Sequence, residues 1–121
     1  MKYEYDPGNI FARILRGEIP NRKVLETAHC LAFHDVNPRA PVHVLVIPKR
    51  PYVNYDHFVA EASAEEMLDF NRALLAVCEQ TGLLEDGYRM ITNAGASGMQ
   101  EVPHMHMHIL GGRAIGPLVA R

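Results

Sequence analysis

The stretch His104-Met105-His106-Met107-His108-Ile109-Leu110 alternates imidazole with apolar side chains over its first six positions. Such alternation is typical of an extended strand, in which successive side chains point to opposite faces. The three histidines then share one face, while Met105, Met107 and Ile109 face the core. We therefore predict that His104 to Leu110 is the last strand of the molecule.

Four further strands are predicted upstream of the histidine row. The β-branched run from Val42 to Ile47 is the strongest of them, and Pro48 ends it. Two short runs, Lys23 to Thr27 and Cys30 to Phe33, are predicted to form a hairpin, and Tyr88 to Asn93 is predicted as the strand before the last.

Two helices complete the prediction. Asn9 to Ile19 carries apolar residues at helical spacing, and Ser63 to Glu66 forms a capping box that begins a long helix reaching about Thr81. The apolar residues of the long helix are too widely spread for one buried face, which indicates a partner, and a homodimer is expected. The intervening segment, Lys49 to Ala62, is predicted to be irregular.

Short joints between consecutive strands favour antiparallel pairing, because parallel strands need long crossovers. The fold class is therefore α+β, with a five-stranded antiparallel sheet and two helices. A chain of 121 residues holds one hydrophobic core, so residues 1–121 are predicted to form a single domain.

Composition excludes several function classes. The net charge of −2 provides no basic field for nucleic acid or an anionic membrane, so neither partner is expected. The two cysteines, Cys30 and Cys78, form no Cys-x-x-Cys motif, and no apolar leader or membrane-spanning run is present. A cytoplasmic location is expected.

Two kinds of chemistry suit a row of three imidazoles. A metal site is one, because imidazole is a common zinc ligand, but the first and third positions of the row lie roughly 13 Å apart on a strand. Nucleophilic attack at phosphorus is the other, since neutral imidazole is a capable nucleophile and a neighbouring imidazole can move a proton or contact phosphate. We favour the second, and expect neither a metal nor a cofactor. The loop Gly95-Ala-Ser-Gly98 is either a plain turn or an anion-binding nest.

The run Gln100-Glu-Val-Pro-His104-Met-His106-Met-His108-Ile-Leu resembles the histidine triad (HIT) signature, in which three histidines alternate with apolar residues. Four more blocks fall in the order of that family: Asn9 to Pro20, Cys30 to Pro38, Ala40 to Lys49 and Gly87 to Gly95. The chain most closely resembles the nucleotide-binding branch of the family, whose members act as nucleoside phosphoramidases.

The resemblance implies a homodimer in which two sheets join into one of ten strands, with the long helix at the junction. It implies that His106 is the nucleophile, that His108 contacts the phosphate and leaving group, that His104 orients His106, and that His43 joins them. It implies that Asp35 accepts from the ribose hydroxyls of a purine nucleotide. The other nucleotide-binding positions that it implies are Ile10, Phe11, Ile14, Phe33, Val36, Leu45, Asn93, Gly98, Gln100 and Val102.

The chain departs from relatives of this branch at several positions. Glu101 stands where they carry Ser or Thr, and Pro51 stands where a histidine often follows the Pro-Lys run. The tail lacks the Trp-bearing ending of some members. Asn9 and Ala12 occupy the positions at which some bacterial members carry cysteines for structural zinc.

The function expected from these features is hydrolysis of nucleoside phosphoramidates at the α-phosphorus through a nucleotidyl-histidine intermediate. Hydrolysis of dinucleoside polyphosphates is an alternative that uses the same chemistry. A nucleotide sensor or scaffold with weak catalysis is an alternative of a different class. The sequence leaves the leaving group and the base open.

Overall fold

The computed structural model describes residues 3–119, so the first two and last two positions of the predicted domain lie outside the described residues. The elements are α1 (Ile10–Leu15), β1 (Lys23–Glu26), β2 (Cys30–His34), β3 (Val42–Pro48), α2 (Tyr55–Glu61), α3 (Ala64–Gln80), β4 (Tyr88–Ile91) and β5 (Met107–Gly111).

The five strands form one sheet in the order β1-β2-β3-β5-β4, and every neighbouring pair is antiparallel. β3 is the central strand, and it pairs with β2 on one side and β5 on the other. The predicted fold class is confirmed. The chain reaches the last strand only after α2, α3 and β4, and β5 then inserts between β3 and β4.

One face of the sheet packs against α3. Val44 and Val46 of β3 and Ile109 of β5 point to this face, where they meet apolar side chains of α3 such as Phe70 and Val77. The capping box predicted at the start of α3 is present, since the Ser63 hydroxyl accepts from the Glu66 N–H and the Glu66 carboxylate accepts from the Ser63 N–H. This face holds most of the core.

The opposite face of the sheet carries a smaller apolar cluster beneath α1. Phe11 and Ile14 of α1 pack there on Phe33 of β2 and Leu45 of β3. Because α1 has only six residues, it covers the β2 and β3 side of this face. The same face also carries His43 of β3 and His108 of β5. These side chains belong to the candidate site described below.

The structure corrects the two-helix prediction, because the segment expected to be irregular contains α2. The Asn54 side chain caps this helix by accepting from the His57 N–H, and Phe58 packs into the core. The helix has only seven residues, too few to show a clear apolar period in the sequence. His57 is buried, and its Nδ1 accepts from the Val53 N–H.

The first helix is shorter than predicted, because it ends at Leu15 and not at Ile19. Gly17 adopts a φ of +78° just beyond the end. The N–H groups of Gly17 and Glu18 donate back to the carbonyls of Ile14 and Arg13, which closes the last turn. The apolar residues after Gly17 therefore belong to a turn.

The last strand begins at Met107, whereas the sequence predicted His104. The main-chain groups of the first three residues find partners outside the sheet: the Met105 N–H donates to the Tyr52 carbonyl, and the Thr92 hydroxyl donates to the His106 carbonyl. The predicted strand Tyr88 to Asn93 likewise ends early, at Ile91, whose register partner is His108. Within residues 3–119, no helix is long and apolar enough to cross a bilayer.

Candidate active site

The four predicted catalytic histidines lie on the same face of the sheet. His43 comes from β3 and His108 from β5, and their ring centroids are 5.2 Å apart. His106 lies just before β5, with its ring centroid 5.1 Å from that of His108. His104 and His106 both contact the Phe11 ring, whereas Met105 packs on the α3 face. The predicted alternation of faces therefore holds although His104 and His106 precede the strand.

The Nδ1 atom of His106 lies 2.7 Å from the main-chain oxygen of His104. A carbonyl oxygen can only accept, so Nδ1 carries the ring proton and Nε2 keeps its lone pair. The Thr92 hydroxyl, 2.7 Å from the His106 carbonyl, fixes the backbone on the other side of the residue. The local backbone thus presents His106 in the tautomer that a nucleophile at Nε2 requires.

His43 and His108 form a second hydrogen-bonded unit. The Arg39 N–H donates to Nδ1 of His43 across 3.0 Å, which places the proton of a neutral His43 on Nε2. That Nε2–H lies 2.9 Å from Nδ1 of His108 and 3.3 Å from a carboxylate oxygen of Asp35. With its Nδ1 accepting, a neutral His108 carries its own proton on Nε2 and can donate a hydrogen bond to a substrate.

Burial keeps these imidazoles neutral near pH 7. It is the main cause that lowers the pKa of His104 and His108 to about 4, and the neighbouring histidines act in the same direction. Burial also lowers the pKa of His43 and of His106. The Asp35 carboxylate opposes burial at His43, His106 and His108, because a negative charge favours the protonated ring.

A cavity of about 680 Å³ opens beside three of the histidines, a size that suits a small-molecule ligand. His104 does not line it; this residue is fully buried and reaches the site through its carbonyl. The polar and charged residues that line the cavity are Asp35, Asn37, Arg39, His43, Arg89, Asn93, Glu101, His106 and His108.

The apolar residues predicted around the base form a separate group. Phe11, Ile14, Phe33 and Leu45 pack together, with Val102 against them, and none of them lines the cavity. Ile10 and Val36 are exposed, Val36 by 88%. Phe11 joins this group to the site because its ring meets that of His106 edge-on at 5.0 Å.

Asn93 and Gln100, two of the predicted nucleotide-binding residues, have different surroundings in the structure. Asn93 lines the cavity and donates to the Gly98 carbonyl across 2.7 Å, which holds the glycine loop closed. Gln100 is committed to the loop: its amide donates to the carbonyls of Val53 and Val102 and accepts from the Gly95 N–H. Gln100 therefore braces the loop, and its predicted contact with the nucleotide stays a prediction.

The HIT domain model matches residues 16–115 of the chain. This chain belongs to the HIT domain family. It is 53% identical over 121 residues to an uncharacterized HIT-like protein of Azospirillum brasilense, covering 100% of this chain and 99% of that one. It is 43% identical over 116 residues to the purine nucleoside phosphoramidase of Escherichia coli K12, covering 92% of each.

A solved HIT family hydrolase from Clostridium thermocellum superposes with a TM-score of 0.81 at 39% identity, covering 93% of this chain and 97% of that one. The fold and the histidine row are therefore those of a hydrolase-like HIT domain. The family match begins after α1, although Phe11 of that helix contacts two histidines of the HIT row.

One group in this HIT site resembles a metal site. Asp35, His43 and His108 each offer a ligand atom, and these atoms lie within 4.8 Å of one another. However, the Arg39 N–H occupies Nδ1 of His43, so the nitrogen that faces the group is the one that carries the proton. A metal ion would have to displace that proton from a neutral ring, which makes the group a poor metal site.

Sequence reasoning missed two residues that hold the histidines of this HIT domain. Thr92 acts through its hydroxyl, but a threonine near a strand end is also explained by β propensity. Arg39 acts through its main-chain N–H, which every residue except proline carries, so its side chain gives no signal.

Proposed function

We propose that this HIT protein hydrolyses purine nucleoside phosphoramidates at the α-phosphorus, with His106 as the nucleophile. The observation that carries the proposal is the tautomer of His106, whose Nδ1–H is bound to the His104 carbonyl while its Nε2 lone pair is left for attack beside the cavity. The 43% identity to the purine nucleoside phosphoramidase of E. coli supports the choice of substrate class.

In the first step, Nε2 of His106 bonds to the α-phosphorus and the P–N bond to the amine breaks. The departing amine takes a proton from solvent as the bond breaks, and the Nε2–H of His108 donates a hydrogen bond to it. The His106 ring gains positive charge as its bond to phosphorus forms, and the hydrogen bond from its Nδ1–H to the His104 carbonyl becomes charge-assisted and stronger. The backbone therefore stabilises the intermediate more than the free enzyme.

In the second step, water bonds to phosphorus and the bond to His106 breaks. The proton that the water loses passes to solvent, while the Nε2–H of His108 donates a hydrogen bond to a phosphate oxygen. Its partner His43 keeps Nδ1 of His108 as an acceptor throughout, because the Arg39 N–H holds His43 in the matching tautomer. The products are the free amine and the nucleoside monophosphate.

The cavity carries charges of both signs, because Arg39 and Arg89 line it together with Asp35 and Glu101. Glu101 and Asp35 both line the cavity and both oppose the burial effect on the pKa of His106, so their negative charge reaches the reacting ring. The choice of phosphoramidates over dinucleoside polyphosphates therefore rests on the similarity to the purine nucleoside phosphoramidase of E. coli.

The remaining nucleotide contacts follow the family resemblance. We assign Asp35 to the ribose hydroxyls and Asn93 with the Gly98 loop to the phosphate. The base is assigned to the group around Phe11, which lies outside the cavity and meets it where the Phe11 ring contacts His106. The proposal includes a homodimer that pairs the β4 edges, because that edge exposes Tyr88 and Ile91 and is unpaired within the described residues.

The test is to mix the protein with adenosine 5′-phosphoramidate, quench it and measure its mass. We expect an adenylyl adduct on His106. In His106→Ala we expect no adduct and a fall in kcat of at least about 10³-fold. Binding of the monophosphate should be nearly retained, because the variant loses only the bond from Nε2 to phosphorus that forms during the reaction. His34→Ala, which alters a histidine of β2 that does not line the cavity, is the matched control.

Undiminished turnover in His106→Ala would reject the nucleophile. Faster cleavage of diadenosine polyphosphate than of the phosphoramidate by the unaltered protein would favour the polyphosphate alternative. Tight binding of monophosphate with no adduct and no turnover would favour the sensor.

A further inference from the structure

Tyr5 lies in the segment before α1, yet it contacts the histidine row almost a hundred positions away. Its hydroxyl oxygen is 2.6 Å from Nδ1 of His104, and the two rings meet edge-on with centroids 5.6 Å apart. His104 itself is fully buried. The catalytic scheme above gives no role to Tyr5, so this contact needs its own explanation.

The second ring nitrogen of His104 settles which group donates. Its Nε2 lies 2.8 Å from the carbonyl of Pro48, at the end of β3, and a carbonyl can only accept. The ring proton is therefore on Nε2, and Nδ1 must accept from the Tyr5 hydroxyl. Two partners on opposite sides of the ring, one from the central strand and one from the N-terminal segment, hold His104 in one orientation.

This orientation bears on the nucleophile through the backbone. The carbonyl of His104 accepts from Nδ1–H of His106, so a shift of residue 104 moves the acceptor that sets the His106 tautomer. No other described side chain donates to Nδ1 of His104. Without the hydroxyl, this buried nitrogen has no partner, and the ring loses one of its two restraints.

We propose that Tyr5 is a positioning residue of the reaction, which acts through His104 to hold the acceptor carbonyl opposite Nδ1 of His106. This inference rests on the proposed function for its kinetic consequence only. The hydrogen bond itself and its effect on the His104 ring are independent of which substrate the protein cleaves.

The test compares Tyr5→Phe with Tyr3→Phe. Tyr3 is the matched control, because it lies in the same segment and also loses one hydrogen bond, 2.7 Å to Asp56, but it touches no residue of the histidine row. In Tyr5→Phe we expect kcat for adenosine 5′-phosphoramidate to fall about tenfold, the equivalent of one hydrogen bond, while KM changes by less than about twofold. In Tyr3→Phe we expect both constants to stay unchanged.

A spectroscopic readout separates positioning from general loosening of the fold. With ¹⁵N-labelled histidine, we expect the Nδ1 signal of His104 to move downfield in Tyr5→Phe, toward the value of a free unprotonated ring nitrogen, and to stay in place in Tyr3→Phe. An unmoved Nδ1 signal overturns the inference, and so does a moved signal with unchanged kcat. If the unaltered protein forms no adduct on His106, the proposed function fails, and the NMR signal alone decides whether Tyr5 orients His104.

Discussion

Main-chain groups set the chemistry of the imidazoles at this site. The carbonyl of Pro48 fixes the proton of His104, the carbonyl of His104 fixes that of His106, and the N–H of Arg39 fixes that of His43. A backbone carbonyl cannot donate and a backbone N–H cannot accept, so each ring is left with one defined tautomer. Side-chain partners such as carboxylates would instead raise the pKa values and favour charged rings.

The buried neutral histidines make the stability of the protein depend on pH. Burial lowers the pKa of His104 to about 4 in the folded chain, and the unfolded chain restores it to its usual value of 6.5. Between these values the unfolded state binds more protons, so stability is fully present above about pH 6.5 and is lost as the pH falls toward 4. His108 contributes with the same sign.

We expect His104 alone to remove about 2 kcal/mol from the free energy of unfolding between about pH 7 and pH 5. Urea unfolding at the two pH values measures this change. In His104→Gln the loss should be smaller by about that amount, because the titrating ring is gone. An equal loss in the two proteins would contradict the assignment.

At the scale of elements, the glycine loop after β4 is shaped by close packing as much as by backbone flexibility. A Cβ atom on Gly98 would lie 2.6 Å from the carbonyl oxygen of Ala94, a contact with main-chain atoms that no rotamer change relieves. The same loop is closed by Asn93 and braced by Gln100. Its position beside the cavity therefore depends on the absence of a side chain at residue 98.

We expect Gly98→Ala to displace this loop and lower kcat/KM for the phosphoramidate at least about tenfold, since the loop is proposed to hold the phosphate. Steady-state kinetics measure the change. Ala96→Ser adds one atom at an exposed position of the same loop and should keep the activity of the unaltered protein. Equal activity in the two variants would show that the loop geometry is not used.

At the scale of the whole molecule, α3 and the β4 edge both expose apolar side chains. Leu68 and Leu75 lie seven positions apart on α3 and are each about half exposed, and β4 exposes Tyr88 and Ile91 at the edge of the sheet. Apolar side chains on a long helix and an open strand edge are the features that association would cover. They agree with the ten-stranded dimer that the family resemblance implies.

We expect sedimentation velocity to give a dimer for the unaltered chain at micromolar concentration and a monomer for Leu75→Lys, because a charge would be buried at the junction. Val59→Lys places the same charge on a comparably exposed residue of α2, which is not part of the proposed junction, and should remain dimeric. A monomeric unaltered protein, or a dimeric Leu75→Lys, would contradict the proposed assembly.

Local sequence patterns predicted the features that depend on local backbone geometry. The alternation in the histidine row placed His106 and His108 on one face, the capping box located the start of α3, and the β-branched run located β3. It failed for α2, which is too short to show a clear apolar period, and at His104, whose alternating pattern is typical of a strand. In the latter case the N–H of Met105 and the carbonyl of His106 bond to Tyr52 and Thr92, partners that lie far away in sequence.

The residues by themselves determined the sheet, its antiparallel strands and the imidazoles that share one face, because side-chain direction along a strand follows from backbone geometry alone. Only the tertiary structure decided the protonation of each ring, the enclosure of His104 and the bond from Tyr5. Those features depend on which carbonyl, amide and hydroxyl groups of distant segments lie next to each ring. A local sequence pattern does not specify such contacts.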